Sequence, residues 1–263
     1  MLYDFIFVVL VYRNTDDLKD FLSSNELPNT KTIVVNSYYD DESEESFRRI
    51  AQDYGVDFIS VPNNGYGAGN NMGVEYAFKN YNFKYLVISN ADIMIEKLQI
   101  SDLKSYEDSI IAPKILNFSN KNQNPSVPFR PGLFTERIRY WIYSGNHYKM
   151  IWCYFAYSRL MKLAYYCISG LRKKIFSAHG AFVIFPSSVV QRLYPFYNEE
   201  MFLFNEEEHL GRKAEQLGIQ TYYVPDIIIK HKEDGSMKVA SVNEFEMMRQ
   251  SYLVYYDFWL NQH

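Results

Sequence analysis

Hydrophobic positions come along this chain in short bursts. Ile6 to Val11 is an unbroken apolar run between polar neighbours, the pattern of a strand covered on both faces. Thr32 to Val35 and Phe58 to Val61 repeat it, and Tyr85 to Ser89 supplies a fourth. Between these runs the spacing turns helical. Asp16 to Leu22 and Glu42 to Tyr54 predict helices, with Phe47 and Ile50 on one face of the second. Pro62 to Gly69 reads as a glycine-rich loop that opens a helix running to about Phe78. Strands alternating with helices predict a doubly wound α/β sheet, which takes its ligands beyond the carboxyl ends of the strands. Asn36, the glycine loop and Asp92 all fall at such ends.

The second half reads differently. Ala181 to Phe185 and Thr221 to Val224 predict strands, and Gly218 closes a helix over Glu206 to Leu217. Val242 to Trp259 is helical in pattern. Between the halves, residues 125–175 carry nine Lys or Arg against one acid, Glu136, although the whole chain has a net charge of −4. That overall sign argues against a general nucleic-acid binder. The basic aromatic segment has two readings. It forms amphipathic helices on an anionic membrane surface, where each basic residue contributes about 1 kcal/mol, or it is an acceptor-side lid or oligomer contact. Arg159 and Lys162 interrupt Ile151 to Leu171, so no membrane span is expected there. Cys153 and Cys167 form no CxxC pair or metal quartet, and the first residues lack the basic start of a leader. A cytoplasmic location is expected, at most peripheral to the inner face of the membrane.

Four stretches carry candidate chemistry. Asn90-Ala91-Asp92 places a carboxylate at a strand tip, where it suits Mg²⁺ or Mn²⁺ bridging to a diphosphate, or simply caps the next element. Asn64-Gly65-Tyr66-Gly67-Ala68-Gly69-Asn70-Asn71 lets backbone approach a ligand and leads to a helix start that favours anions; the bland reading is a tight loop. Its G-x-G-x-G spacing is not the dinucleotide fingerprint. Glu206-Glu207-Glu208 opens a helix, which dipole complementarity partly explains, while crowded carboxylates also suit a general base. His231 stands just past a predicted strand, as a ligand or a surface residue. Leu10 to Thr15 has no glycine, so a nucleotidyltransferase triphosphate loop is missing.

In their order these elements resemble the family 2 glycosyltransferases, especially the bacterial rhamnosyltransferase-like enzymes of capsule, O-antigen and wall-polysaccharide assembly. Val8 to Asn14 resembles the family's opening strand, Asn63 to Gly73 its glycine-asparagine loop, and Asn90-Ala91-Asp92 its D-x-D motif with Asn90 in the first acid's place. His179-Gly180-Ala181-Phe182 is similar to the acceptor-side element, Phe204-Asn205-Glu206-Glu207 to the carboxylate pair, and Val224-Pro225-Asp226 with His231 to the closing strand. The resemblance implies a GT-A fold and an inverting transfer of one sugar from a nucleotide diphosphate donor, dTDP-rhamnose or a UDP-sugar, to a glycan acceptor that is lipid-linked in such pathways. It implies Asp92 with His231 on Mg²⁺ or Mn²⁺, and Glu207 as base with Glu206 as its competitor. Tyr12, Asn36, Asp40, Asn64, Gly69, Asn70 and Asn90 would then line the nucleotide. Residues 1–124 become the donor half, 125–175 an insert, and 176–263 the acceptor half. The rival expectation is a catalytically silent nucleotide-sugar-binding module.

Overall fold

The computed structural model describes residues 1–145, 147–168, 174–233 and 244–261. The first half runs β1 (Leu2–Val11), α1 (Thr15–Ser24), β2 (Thr30–Ser37), α2 (Asp41–Asp53), β3 (Asp57–Val61), α3 (Tyr66–Asn80), β4 (Asn82–Asn90), β5 (Ile93–Lys97) and β6 (Ser109–Leu116). The second runs α4 (Leu133–Ser144), α5 (Ile151–Ile168), β7 (Lys174–Ile175), β8 (Phe182–Pro186), α6 (Ser187–Leu193), α7 (Glu206–Gln216), β9 (Gln220–His231) and α8 (Glu244–Leu260).

Among the described residues the strands form one mixed sheet in the order β3-β2-β1-β4-β8-β6-β9-β5, with β7 beside β9. The first four strands are parallel; β8 runs antiparallel to β4, and β9 parallel to β6. Period-two alternation in β1 divides the core. Ile6 and Val8 face a cluster that includes Val74 of α3, Val189 of α6 and Leu210 of α7. Phe5, Phe7, Val9 and Val11 face the opposite one, with Leu18 of α1 and Phe47 of α2. A third cluster joins α4, α5 and α8 through Ile142, Ile151, Tyr252 and Tyr255.

Two expectations need correction. The glycine stretch is mostly helix, because α3 begins at Tyr66 and takes in Gly67, Gly69, Asn70 and Asn71. The glycines permit close packing there: a Cβ on Gly69 would stand 2.5 Å from a Leu10 methyl, and one on Gly73 2.3 Å from a Val8 methyl. Asn70 and Asn71 therefore sit inside the helix and do not start it. Beyond Thr221 to Val224, β9 continues to His231. Its register against β6 jumps from Val224 to Ile228, so Pro225, Asp226 and Ile227 bulge out. Of the basic residues closing the insert, Arg172 and Lys173 lie outside the described residues, as do residues 242 and 243 of the predicted C-terminal helix. Among the described residues no helix is long and apolar enough to cross a membrane.

Candidate functional site

A cavity of about 460 Å³ opens at the carboxyl ends of the parallel strands. Tyr12 after β1, Ser37 ending β2, and Asn90 to Asp92 after β4 form its sheet side. Gly65 and Tyr66 at the start of α3, Phe202 and Leu203, and Met247 and Gln250 of α8 close it. Gly65 is required here: its φ is +105°, and a Cβ would stand 2.3 Å from the Phe202 carbonyl oxygen, which accepts the Tyr66 N–H at 2.8 Å.

Asp92 and His231 meet at one edge of this space. Ile93 pairs with His231 across β5 and β9, and His231 Nε2 lies 3.2 Å from Asp92 Oδ2. Gln123 fixes the imidazole. Its amide nitrogen donates to Glu233 at 2.7 Å, so its oxygen faces His231 Nδ1 at 2.8 Å and accepts a hydrogen bond from the Nδ1–H. With Nδ1 committed to Gln123, Nε2 is the ring nitrogen that faces the Asp92 carboxylate. Only positive charge between them makes that contact favourable: a second proton, or a divalent cation. The pair fits Mn²⁺ or Mg²⁺ as one oxygen and one imidazole ligand oriented by an outer hydrogen bond. Among the described residues no third His, Cys, Asp or Glu joins them. Donor phosphate and water oxygens would have to complete the shell.

The carboxylates of α7 stand across Tyr66. The Tyr66 hydroxyl donates to the Gly180 carbonyl at 2.8 Å, while the Gly180 N–H donates to Glu207 Oε1 at 3.3 Å. Burial pushes the Tyr66 phenol up, and Glu207, Glu206 and Asp92 add to the shift. The same tyrosine thus feels both ends of the site. Burial raises the Glu207 carboxyl, against the Gly180 N–H and the Lys162 ammonium, which lower it. Glu206 is raised further, by burial and by Glu207, and its Oε1 finds no partner among the described residues. Glu206 is buried while Glu207 stays partly open. His179, lowered to about 3 by burial and then by His231 and Lys162, stays neutral and accepts the Ala181 N–H on Nδ1 at 3.2 Å.

Glu208 points elsewhere. Arg139 of α4 grips it with two bonds of 2.8 and 2.9 Å, and also holds Asn205 Oδ1 at 3.0 Å. Phe204 and Asn205 enter α7 at positive φ, 75° and 66°, a strained entry fixed by that grip.

Of the residues read from sequence, Tyr12, Asn90 and Asp92 line the cavity, with His231 against Asp92 and Glu207 reached through Gly180 and Tyr66. The others stand off it. Asp40 caps α2 through the Ser43 N–H at 2.8 Å, and Asn64 is exposed outside the lining. Gly69 packs on Leu10. Asn36 bonds Ser60 Oγ at 3.1 Å and Asn70 bonds the Tyr66 carbonyl at 2.9 Å; both are buried, each with an Oδ1 that finds no partner among the described residues. Ser37 and Asn63, hydrogen-bonded at 3.0 Å, occupy the expected places of Asn36 and Asn64 at the cavity. Ser37 and Gln123 escape the sequence reading, while Asn63 and Tyr66 stand within the loop it singles out without being named as site residues. The G-x-G flanks of Tyr66 were its only local signal.

Residues 5–252 match the family described as glycosyltransferase-like family 2. The chain is 26% identical over 265 residues to the low-salt glycan biosynthesis hexosyltransferase Agl10 of Haloferax volcanii, across 98% of this chain and 74% of that protein. Among solved structures it resembles GalNAc-T7 with UDP, GalNAc and Mn²⁺ (TM-score 0.58, 11% identity, 88% of this chain). It also resembles S. aureus TarS 1–349 in complex with UDP-GlcNAc (TM-score 0.52, 12% identity, 91% of this chain). It spans 44% and 62% of those two chains, so the likeness is one of fold, that of GT-A transferases.

Proposed function

The chain belongs to the glycosyltransferase-like family 2, and on that premise we propose that it moves one sugar from a nucleotide diphosphate donor to a hydroxyl of a growing glycan, with inversion at the anomeric carbon. The observation that carries the reading is a chain of contacts: Tyr66 lines the cavity with Asp92 and bonds the carbonyl of Gly180, whose N–H holds a Glu207 carboxyl raised by burial, while His231, held by Gln123, meets Asp92. Tyr12, Ser37 and Asn63 line the space left for the nucleotide. The reading keeps 1–124 as donor half, 125–175 as insert and 176–263 as acceptor half.

Glu207 takes the proton of the acceptor hydroxyl as its oxygen attacks the anomeric carbon. The bond from that carbon to the diphosphate breaks, and the diphosphate departs with the electron pair. A base with a raised pKa is suited to this proton transfer near neutral pH. Gly180 holds Glu207 through its N–H, and Tyr66 holds the same residue through its carbonyl. Asp92 and His231 would hold Mg²⁺ or Mn²⁺, whose charge stabilises the departing diphosphate when bound. Glu206, enclosed, is the less accessible carboxylate and keeps second place as base. A UDP-hexose is the donor to try first, because the Haloferax relative is named a hexosyltransferase and UDP or UDP-GlcNAc accompanies the two solved proteins. dTDP-rhamnose follows, and the acceptor class is a glycan, lipid-linked in the fullest form of the proposal.

Calorimetry with UDP-hexoses and dTDP-rhamnose, with and without Mn²⁺, tests the first half. Asp92→Asn should remove the metal-dependent gain in affinity. Release of free nucleoside diphosphate tests the second: Glu207→Gln should bind donor normally and lose roughly 10²–10⁴-fold in turnover. Donor binding without any turnover in the wild type would favour a silent binding module instead.

A further inference from the structure

From Ser109 to Asn198 the chain has one carboxylate, Glu136, and it is 0% exposed. Everything this long segment presents to solvent is therefore neutral or basic. Within it, α5 turns one face outward. Trp152, Ala156, Leu160, Leu163 and Cys167 recur at intervals of three and four and are all exposed, Trp152 at 71% and Leu163 at 63%. At 1.5 Å per residue the stripe runs for roughly 20 Å. Arg159 lies exposed beside it and Lys149 just before the helix. Leu133, Phe134, Ile138 and Trp141 of α4 are likewise exposed, Phe134 at 77%, with Arg137 among them.

An apolar ridge of this size in water is unusual without a partner. We infer that α4 and α5 dock this protein onto the surface of an anionic lipid bilayer. Charge complementarity selects that occupant: a second copy would bring an equally basic, acid-free face against the first. The helices are too polar to span, so they lie in the interface, apolar side chains in the headgroup boundary and basic ones on the phosphates. The inner face of α5 reaches the site, with Lys162 donating to the Gln123 carbonyl at 3.4 Å. Docking therefore brings the Glu207 side of the cleft close to the membrane, where an acceptor carried on a lipid would present itself. The inference rests on the surface alone, and only this last consequence rests on the transferase reading.

Flotation of the full chain with vesicles of phosphatidylcholine mixed with phosphatidylglycerol, and of phosphatidylcholine alone, tests it. The wild type should float with the mixed vesicles only, and less as salt is raised. The triple variant Trp152→Asn, Leu160→Asn, Leu163→Asn should not float. Replacing Arg137, Lys149 and Arg159 by Gln should weaken binding about 100-fold. Far-UV circular dichroism establishes that each variant is folded. Failure of the wild type to float, or equal flotation of folded variants, overturns the inference. So does a wild-type dimer that the apolar variant makes monomeric without vesicle binding. Nucleoside diphosphate release measured without vesicles reads the transferase separately, so turnover without flotation sinks only the docking surface.

Discussion

Replacing Arg139 by Met should destabilise the fold by about 4 kcal/mol. The guanidinium is nearly fully buried between the rings of Tyr154 and Tyr252, at 4.4 and 4.3 Å from their centroids. It neutralises Glu208 at 2.8 and 2.9 Å and approaches Glu136 at 3.3 Å. Glu136 has other partners, the Arg212 guanidinium at 2.9 Å and the Tyr252 and Tyr255 hydroxyls at 2.9 and 3.1 Å. Glu208 depends on Arg139 for its bidentate grip. Met fills most of the volume and leaves the Glu208 carboxylate enclosed with no cation. Breaking a buried pair from one side costs about 3–5 kcal/mol, to which the lost ring contacts add in part. Each kcal/mol lowers the melting temperature of a chain of this size by about 2–4 °C, so the variant should melt roughly 8–16 °C lower. Urea denaturation gives the free energy directly. The discriminating arm is Arg139→Met with Glu208→Leu, which removes both charges and leaves Glu136 balanced by Arg212. That double variant should return to within about 1 kcal/mol of the wild type, because a well-packed apolar pair replaces an ion pair at little cost. A loss below about 1 kcal/mol in the single variant, or a double variant no better than the single, would refute the reasoning.

Gln123→Ala frees the His231 imidazole and should weaken Mn²⁺-dependent nucleotide binding about 10–100-fold; unchanged calorimetry would separate Gln123 from the cation site. Gly65→Ala must strain a residue at φ +105° and displace Phe202, costing at least about 1–3 kcal/mol in urea denaturation and weakening donor binding with it. Glu206→Gln concerns pH. The folded carboxyl is raised well above its ordinary 4.5 by burial and by Glu207, so the folded state holds its proton more tightly than the unfolded chain. Wild-type stability is then full below pH 4.5 and declines as pH rises toward the folded pKa. The neutral amide escapes that decline, so the advantage of Glu206→Gln should grow with pH across this window; an advantage that shrinks contradicts the assignment.

Strands buried on both faces were legible because apolar runs such as Ile6 to Val11 have few other uses. β6 was not, since Pro113 and Lys114 interrupt its pattern, and their pairing with β9 shifts register at that point. The start of α3 was misread because glycine and asparagine usually signal loops. Here Gly69 and Gly73 serve contact with Leu10, Val8 and Val35, which only the tertiary structure displays. The same limit governs the site. Asp92, Glu207 and His231 belong to motifs readable in the chain, but Gln123 and Gly180 bond His231 and Glu207 from 108 and 27 residues away. The neighbouring pairs Asn36/Ser37 and Asn63/Asn64 could not be told apart before the strand ends were fixed. The grip of Arg139 on Glu208 spans 69 residues and joins the basic segment to the carboxylate helix, a link that charge counting alone cannot reveal.

The bulge in β9 divides that strand into a tolerant half and an intolerant one. Around Pro225 to Ile227 the chain already departs from the ladder, so an added or lost residue there has somewhere to go. Between Ile229 and His231 it has nowhere, because each residue is in continuous register against β5. A slip of one position would set Lys230 or Lys232 opposite Ile93 and beside Asp92. The ammonium would then neutralise that carboxylate itself, and the proposed cation site would become an internal ion pair. Selection on this segment should therefore act on its length before its composition.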